Sequence, residues 1–288
     1  MKLFRLTILF SFLCINLYAN KIVLEIHTNK IENANVVLIT AKSTKHSQLK
    51  AILNDKEVLF NKHPFKSETF YALVPFHYFL EQKTHQLIVT YITNNKNYFE
   101  GFDIELTEGT YEEEEIKVSS SKVTLSVKNK SRTSKEYKEA IGVYNDVTSK
   151  TYWYDDFIYP INSKITSNFG TKRVYNNKTK SYHTGIDFKA KIGTKIKASN
   201  NGIVRISKNR FYAGNSIIID HGHGVYTCYY HLDKMFVNKG DFVQRGDTIG
   251  VSGNSGRSTG PHLHFATFIN GIQISPVNAI KILNSLNE

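Results

Sequence analysis

Six of the eleven histidines fall between residues 183 and 264, as His183-Thr-Gly-Ile-Asp187, His221-Gly-His223, Tyr230-His231 and His262-Leu263-His264. Imidazole and carboxylate are ligands that zinc accepts, and a catalytic zinc site takes three protein ligands plus a position open to water. In a strand, side chains two apart share a face, so His262 and His264 point together while Leu263 points into the opposite layer. The same parity sets His183, Gly185 and Asp187 on one face if that stretch is extended, with Gly185 leaving space. In VYTCYYH (225–231) parity groups Thr227, Tyr229 and His231 and sends Cys228 to the other side, which makes Cys228 a buried thiol rather than a ligand. DHGHG (220–224) reads as a hairpin turn, giving His221 and His223 structural roles. An HxH or an HxxxD alone is ordinary; it is their joint occurrence in one glycine-rich β region that points to a metal. No serine or cysteine sits in a GxSxG motif and no GxxxxGK[ST] occurs, so acyl-enzyme and phosphate-loop chemistries lack support.

The elements that must position these residues read as mainly β. From 151 to 288, closely spaced glycines punctuate many short strands. From 20 to 115, NVVLITA (35–41), TFYALVPF (69–76), HQLIVTYI (85–92) and NYFEGFDIEL (97–106) suggest a small β-sandwich-like accessory domain. Its histidines 27, 46, 63, 77 and 85 are scattered and read as structural. Residues 116–150 read as a connector, introduced by the acidic run at 112–115 and holding one short helix. Tyr137, Ala140, Ile141 and Tyr144 form that helix's apolar stripe, with Ser134 as its cap.

Residues 1–20 have the anatomy of a secretory signal peptide, with Lys2 and Arg5 before an apolar run and cleavage near Ala19. Its removal takes Cys14 with it and leaves Cys228 without an intramolecular partner. No later stretch is apolar enough to span a membrane. The formal net charge is +12. Residues 21–115 carry 10 basic and 14 acidic side chains and residues 116–288 carry 25 and 11, so the basic excess lies with the C-terminal half. That excess suits an anionic partner. Export and the lack of an aromatic-basic motif argue against nucleic acid.

The stretches SNFGTKR (167–173), HTGIDF (183–188), GIVRI (202–206), YYHL (229–232), VQRGDTIGVSGNSGRSTGPHLHF (243–265) and SPVNAI (275–280) resemble the lysostaphin/LytM-type zinc metallopeptidases of bacterial peptidoglycan. The resemblance covers about residues 160–280. It implies an antiparallel β core in which His183, Asp187 and His264 ligate Zn²⁺, with His231 and His262 as the two catalytic histidines that are not ligands. Which of those two is the general base stays open. The function implied is an exported endopeptidase that hydrolyses peptide cross-links of peptidoglycan in wall remodelling or cell shape. Members of the family cut either D-alanyl to diaminopimelate links or glycine bridges; with no wall-anchoring repeat or sortase-type tail in view, the expectation is a periplasmic enzyme that cuts the D-alanyl to diaminopimelate link. Cell-shape proteins are the partners this suggests, and the mildly acidic accessory domain suggests autoinhibition of the basic catalytic one. The competing reading is a non-catalytic, wall-binding regulator of other peptidoglycan hydrolases.

Overall fold

The computed structural model describes residues 22–43, 48–93, 95–116, 125–175 and 179–288. The expected signal peptide with its cleavage point, Cys14 and His46 lie outside these residues. No described helix is long and apolar enough to cross a membrane.

The chain is mainly β, as its patterning implies. Residues 22–107 form a two-sheet sandwich. One sheet runs Val23–Ile26, Asn35–Lys42, Thr69–Phe76, Asn61–Lys62, and the other Lys30–Glu32, Lys96–Thr107, Thr84–Thr93, Lys50–Leu53, Lys56–Leu59. Ile39, Ala72, Leu87, Val89 and Ile104 fill the space between them. The strand Thr69–Phe76 is buried at every position, which explains why its sequence is one apolar run where a half-exposed strand would alternate. Its outer face, with Tyr71 and Leu73, joins Val36 and Leu38 in the same core as Trp153, Phe157, Phe265 and Ile274. Full burial of four such side chains contributes on the order of 6–12 kcal/mol before the entropy of ordering is subtracted. The sandwich is therefore fused to the C-terminal half through a shared interior.

That half is built on a ten-stranded sheet. Its main path runs Ile165–Ser167, Ile186–Lys189, His262–Ile269, Val225–Met235, Gly214–Asp220, Gly202–Arg210, Phe242–Val243. One face, with Ile217, Tyr229, Leu263 and Phe265, looks into the shared core. The other, with Ile218, Tyr226, Cys228, Ala266 and Phe268, is covered by Ala140 and Tyr144 of helix α1, Val127–Tyr144. A second helix, α2 (Pro276–Asn284), closes the shared core with Ala279, Ile280 and Leu283.

Helix α1 is longer than the apolar stripe alone suggests. It starts about two turns before Ser134, where the Ser126 hydroxyl accepts the Asn129 N–H at 3.3 Å. Ser134 is thus mid-helix and Ser126 is the cap. Tyr137, expected on the buried stripe, is 66% exposed. The acidic run is not simple connector either: Glu113–Ile116 pairs in parallel with Lys172–Tyr175, which is hairpinned to Thr179–Tyr182.

Candidate metal centre

The antiparallel pairing of Ile186–Lys189 with His262–Ile269 sets Asp187 directly opposite His264. His183, just upstream, folds back onto both. His183 Nε2 lies 2.9 Å from Asp187 Oδ1 and 3.0 Å from His264 Nδ1, and His264 Nδ1 lies 2.9 Å from the same carboxylate oxygen. All three residues are buried. Gly185 admits this approach, because a Cβ there would stand 2.3 Å from the Phe265 carbonyl oxygen and 2.7 Å from His264 Nε2. The space that Gly185 provides is therefore for the His264 ring and its strand.

Each of the three groups is held by a further partner. His183 Nδ1 donates to the Asn168 carbonyl at 2.7 Å, which leaves its Nε2 as a lone pair facing Asp187. The other carboxylate oxygen, Asp187 Oδ2, accepts from Arg173 at 3.1 Å. Arg173 also reaches Glu114 of the acidic strand at 3.2 Å. Burial pushes His264 down to about 4, so its ring is neutral at pH 7 and able to act as a ligand. One carboxylate oxygen and two imidazole nitrogens thus converge with spacings near the roughly 3.3 Å edge of a zinc tetrahedron with 2.0–2.1 Å bonds. A cation satisfies the facing lone pairs of His183 and Asp187, so the donor set fits the metal.

His231 and His262 complete the constellation. Their rings lie 4.8 Å apart, and His231 is 6.0 Å from the His264 ring. His262 Nε2 stands 3.7 Å from Asp187 Oδ1. His231 Nδ1 donates to the Ser255 carbonyl at 2.7 Å and His262 Nδ1 to the Gly260 carbonyl at 2.8 Å. Each therefore keeps an Nε2 lone pair, the tautomer a proton acceptor needs. Burial, reinforced by the neighbouring imidazoles, pushes His231 down to about 3.

The parity argument for His231 is corrected by the backbone. Leu232 is three positions beyond Tyr229 while their partners Asn215 and Ile217 are only two positions apart, so the strand carries an extra residue there. His231 adopts φ +60°, the left-handed region that costs a non-glycine residue about 1–2 kcal/mol. Such bulges re-aim side chains. Here Tyr229 and Leu232 both enter the shared core, and His231 turns toward His262 and His264 instead of following Tyr229. Cys228 lies on the same sheet face as His264, and its separation from the site comes from its position under Tyr144, with Tyr144 Oη 3.6 Å from its sulfur. Burial pushes the thiol up to about 11, leaving it inert.

His221 and His223 occupy structural positions. His221 Nδ1 donates to the Asn201 carbonyl and its Nε2 accepts from Thr227, both at 2.7 Å. His223 Nε2 donates to the Ser149 carbonyl at 3.0 Å and its Nδ1 accepts the Tyr71 hydroxyl at 2.8 Å, a polar link between the two halves. Tyr229 is fully buried with its hydroxyl on Ser199. Tyr230 backs the site, stacked on His264 with centroids 5.4 Å apart. In the sandwich, His63 accepts from the Phe65 and Lys66 amides and His85 donates to the Glu81 carbonyl.

The sequence offered no role at the site for Arg173, Glu114 or α1, although SNFGTKR contains Arg173 and the Asn168 that holds His183. Two clefts open onto the constellation. One, of about 310 Å³, runs past Glu114, Arg173 and the Ser258–His262 loop. The other, of about 570 Å³, lies between α1 and the strand ends carrying Arg210 and Tyr230. Among the described residues, neither is lined by one from the sandwich.

The chain is similar to several known peptidases. Peptidoglycan DD-endopeptidase ShyA of Vibrio cholerae is 46% identical over 126 residues, 43% of this chain and 29% of that protein. The DD-carboxypeptidase/endopeptidase Mpg of Neisseria meningitidis is 40% identical over 116 residues, 40% of this chain and 27% of that protein. The chain thus spans less than a third of the length of these curated relatives. A Pseudomonas aeruginosa crystal structure described as a peptidase M23 superposes over 86% of this chain and 94% of its own, with a TM-score of 0.65 at 23% identity, so the arrangement of sandwich and sheet recurs there. Residues 181–276 match peptidase family M23 and contain all five constellation residues, and this part of the chain is a peptidase M23 domain.

Proposed function

We propose that this protein is an exported zinc-dependent endopeptidase that hydrolyses the D-alanyl to diaminopimelate cross-links of peptidoglycan, with His183, Asp187 and His264 as the zinc ligands. The observation that carries the reading is the convergence of those three ligand atoms beside two further imidazoles whose Nε2 atoms are left as acceptors. Zinc, when bound, supplies Lewis acidity that lowers the pKa of water and polarises a carbonyl. The rest of the mechanism belongs to the side chains. The Asn168 carbonyl and Arg173 fix the ring of His183 and the carboxylate of Asp187, so the ligands do not have to reorganise on binding. His231 and His262, each anchored through Nδ1 to a backbone carbonyl, are the groups that accept a proton at Nε2 and return it to the leaving amine. The two are equivalent in their anchoring, so both stand as candidates for the base. The sandwich supports the site from behind: Tyr78 stacks on Tyr182 at 4.1 Å, next to His183, and its hydroxyl donates to the Gly170 carbonyl at 3.0 Å. Autoinhibition by the sandwich gains no support from either cleft. Export rests on the leader read at residues 1–19, and periplasmic residence is part of the same proposal.

The test is digestion of cross-linked muropeptides by the zinc-loaded protein, read by mass spectrometry. Cleavage at the D-alanyl to diaminopimelate bond, lost with chelator and in His264→Ala, is the expected result. Stoichiometric zinc without any cleavage would instead support the wall-binding regulator, and full activity of His264→Ala would overturn the ligand assignment.

A further inference from the structure

The larger cleft has one wall that lies outside the M23 segment. Lys130, Thr133, Ser134 and Tyr137 of α1 line it, and their spacing of three, four and seven residues makes them one stripe of the helix. This stripe is not packed into the protein; the burial of α1 is done by Ala140 and Tyr144. The helix is nevertheless held firmly. Glu136 accepts the Phe211 amide at 2.8 Å and Arg132 at 2.7 Å, Arg132 reaches Asn209 at 3.0 Å, and Tyr144 stacks on Phe268 at 3.6 Å. An exposed tyrosine and lysine are thus presented on a fixed wall facing the metal ligands.

At the floor of the same cleft stands Arg210. Its guanidinium lies 5.9 Å from the Tyr230 ring and donates to the Glu136 carbonyl at 3.3 Å, while its buried Nε has no hydrogen-bond partner. No acidic side chain forms an ion pair with Arg210 or Lys130 among the described residues, which include every Asp and Glu of the chain. Glu136, the one acid in the lining, is occupied by Arg132 and the Phe211 amide. The cleft therefore carries positive charge at its floor and wall with no internal counter-ion, and a partly buried cation in that state is costly unless an anion arrives.

We propose that Arg210 and Lys130 form a carboxylate-receiving subsite of the peptide-binding cleft, with Tyr137 of α1 as its apolar wall. This rests on the peptidase reading above and adds to it what the substrate must carry. Arg210 reaches the ligand His264 through the single ring of Tyr230, so the carboxylate lies no more than about three extended residues from the cleaved bond. The ligand class is an acidic peptide, and in a stem peptide the free carboxyl of diaminopimelate meets the requirement.

The test compares cross-linked muropeptide dimers whose diaminopimelate carboxyl is free or amidated, using the zinc-loaded full chain. A charge-assisted pair at this site is worth about tenfold, so the free acid should be cut with a kcat/KM about tenfold higher, the difference lying in KM. Lys130→Glu, on the exposed face of α1, and Arg210→Gln should each bring the ratio toward one by raising KM for the free acid only, and Arg210→Lys should restore part of it. A purely structural role for Arg210 would slow both substrates equally. Equal kcat/KM for the two substrates in the parent, or an unchanged ratio in Lys130→Glu and Arg210→Gln, overturns the subsite. A parent that cuts neither substrate refutes the peptidase reading instead, and equilibrium binding of free and amidated tetrapeptides to that same protein then decides the subsite on its own.

Discussion

Gly185→Ala tests the metal centre through space alone, since it adds one methyl group and removes no ligand. The new Cβ would sit 2.3 Å from the Phe265 carbonyl oxygen, about 1 Å inside ordinary contact, and within 3 Å of two atoms of the His264 ring. The oxygen is not free to retreat, because Phe265 is paired with Ile186 in the sheet. The ring or the Ile186–Lys189 strand must move, and either shift separates His264 from Asp187. Metal sites tolerate departures of about 0.2 Å in ligand distance, so a displacement several times larger should lower zinc affinity by more than ~100-fold, beyond the effect of losing an outer partner. Overpacking of this kind costs about 1–3 kcal/mol, which leaves a domain of this size folded. The assay is competition with a chromophoric chelator for zinc, beside urea unfolding in excess chelator. A variant that folds like the parent and binds zinc with unchanged affinity would refute the claim that Gly185 is required by the approach of His264.

Three other outcomes follow from the same geometry. His231→Ala and His262→Ala should each retain stoichiometric zinc while kcat falls by about 10²–10⁴-fold, the range for a positioned proton acceptor; loss of metal in either would make that residue a ligand. Tyr71→Phe should destabilise the protein by about 1–3 kcal/mol, because it strands His223 Nδ1 in the interior, and urea unfolding should remain a single transition as the two halves share one core. Burial pushes His221 down to about 4, below its value of about 6.5 when unfolded. Its contribution to stability is therefore complete above pH 6.5 and is lost as pH falls toward 4, by about 2 kcal/mol at pH 5. Urea titrations of the parent and His221→Asn across that window should show a shallower acid slope in the variant; parallel slopes would remove His221 from the account.

What the sequence revealed depended on how local the signal was. His262 and His264 were legible because two residues apart on a strand is a fixed geometry, and His183 with Asp187 because four residues with a central glycine can close on one point. The continuous apolar run 69–76 announced a strand covered on both sides, but not which second layer would cover it. That layer is supplied by residues such as Trp153 and Ile274, far along the chain. The start of α1 escaped because Ser126 caps a first half with no apolar stripe, where polar contacts such as Arg132 with Asn209 and Glu136 with the Phe211 amide tie the helix to the sheet. Tyr137 kept the helical period of the buried residues yet faces a cleft, since periodicity finds a face and cannot say whether protein or substrate fills it. Glu113–Ile116 carries no alternation at all; it is a strand through its pairing with the edge of Lys172–Tyr175, a partner distant in sequence, with Arg173 beside Glu114.

The extra residue at the end of the 225–235 strand has a consequence for how failure would propagate. An unbroken ladder would hand alternate side chains to alternate layers, whereas here two neighbours, Tyr230 and His231, serve the wet side while the residues flanking them, Tyr229 and Leu232, are pegs in the dry one. Four consecutive positions thus fasten reaction chemistry and the joint between the two halves with a single clasp. Opening that clasp would loosen both at once, so heat or denaturant should extinguish turnover in step with the parting of sandwich and sheet, with no inactive folded state in between.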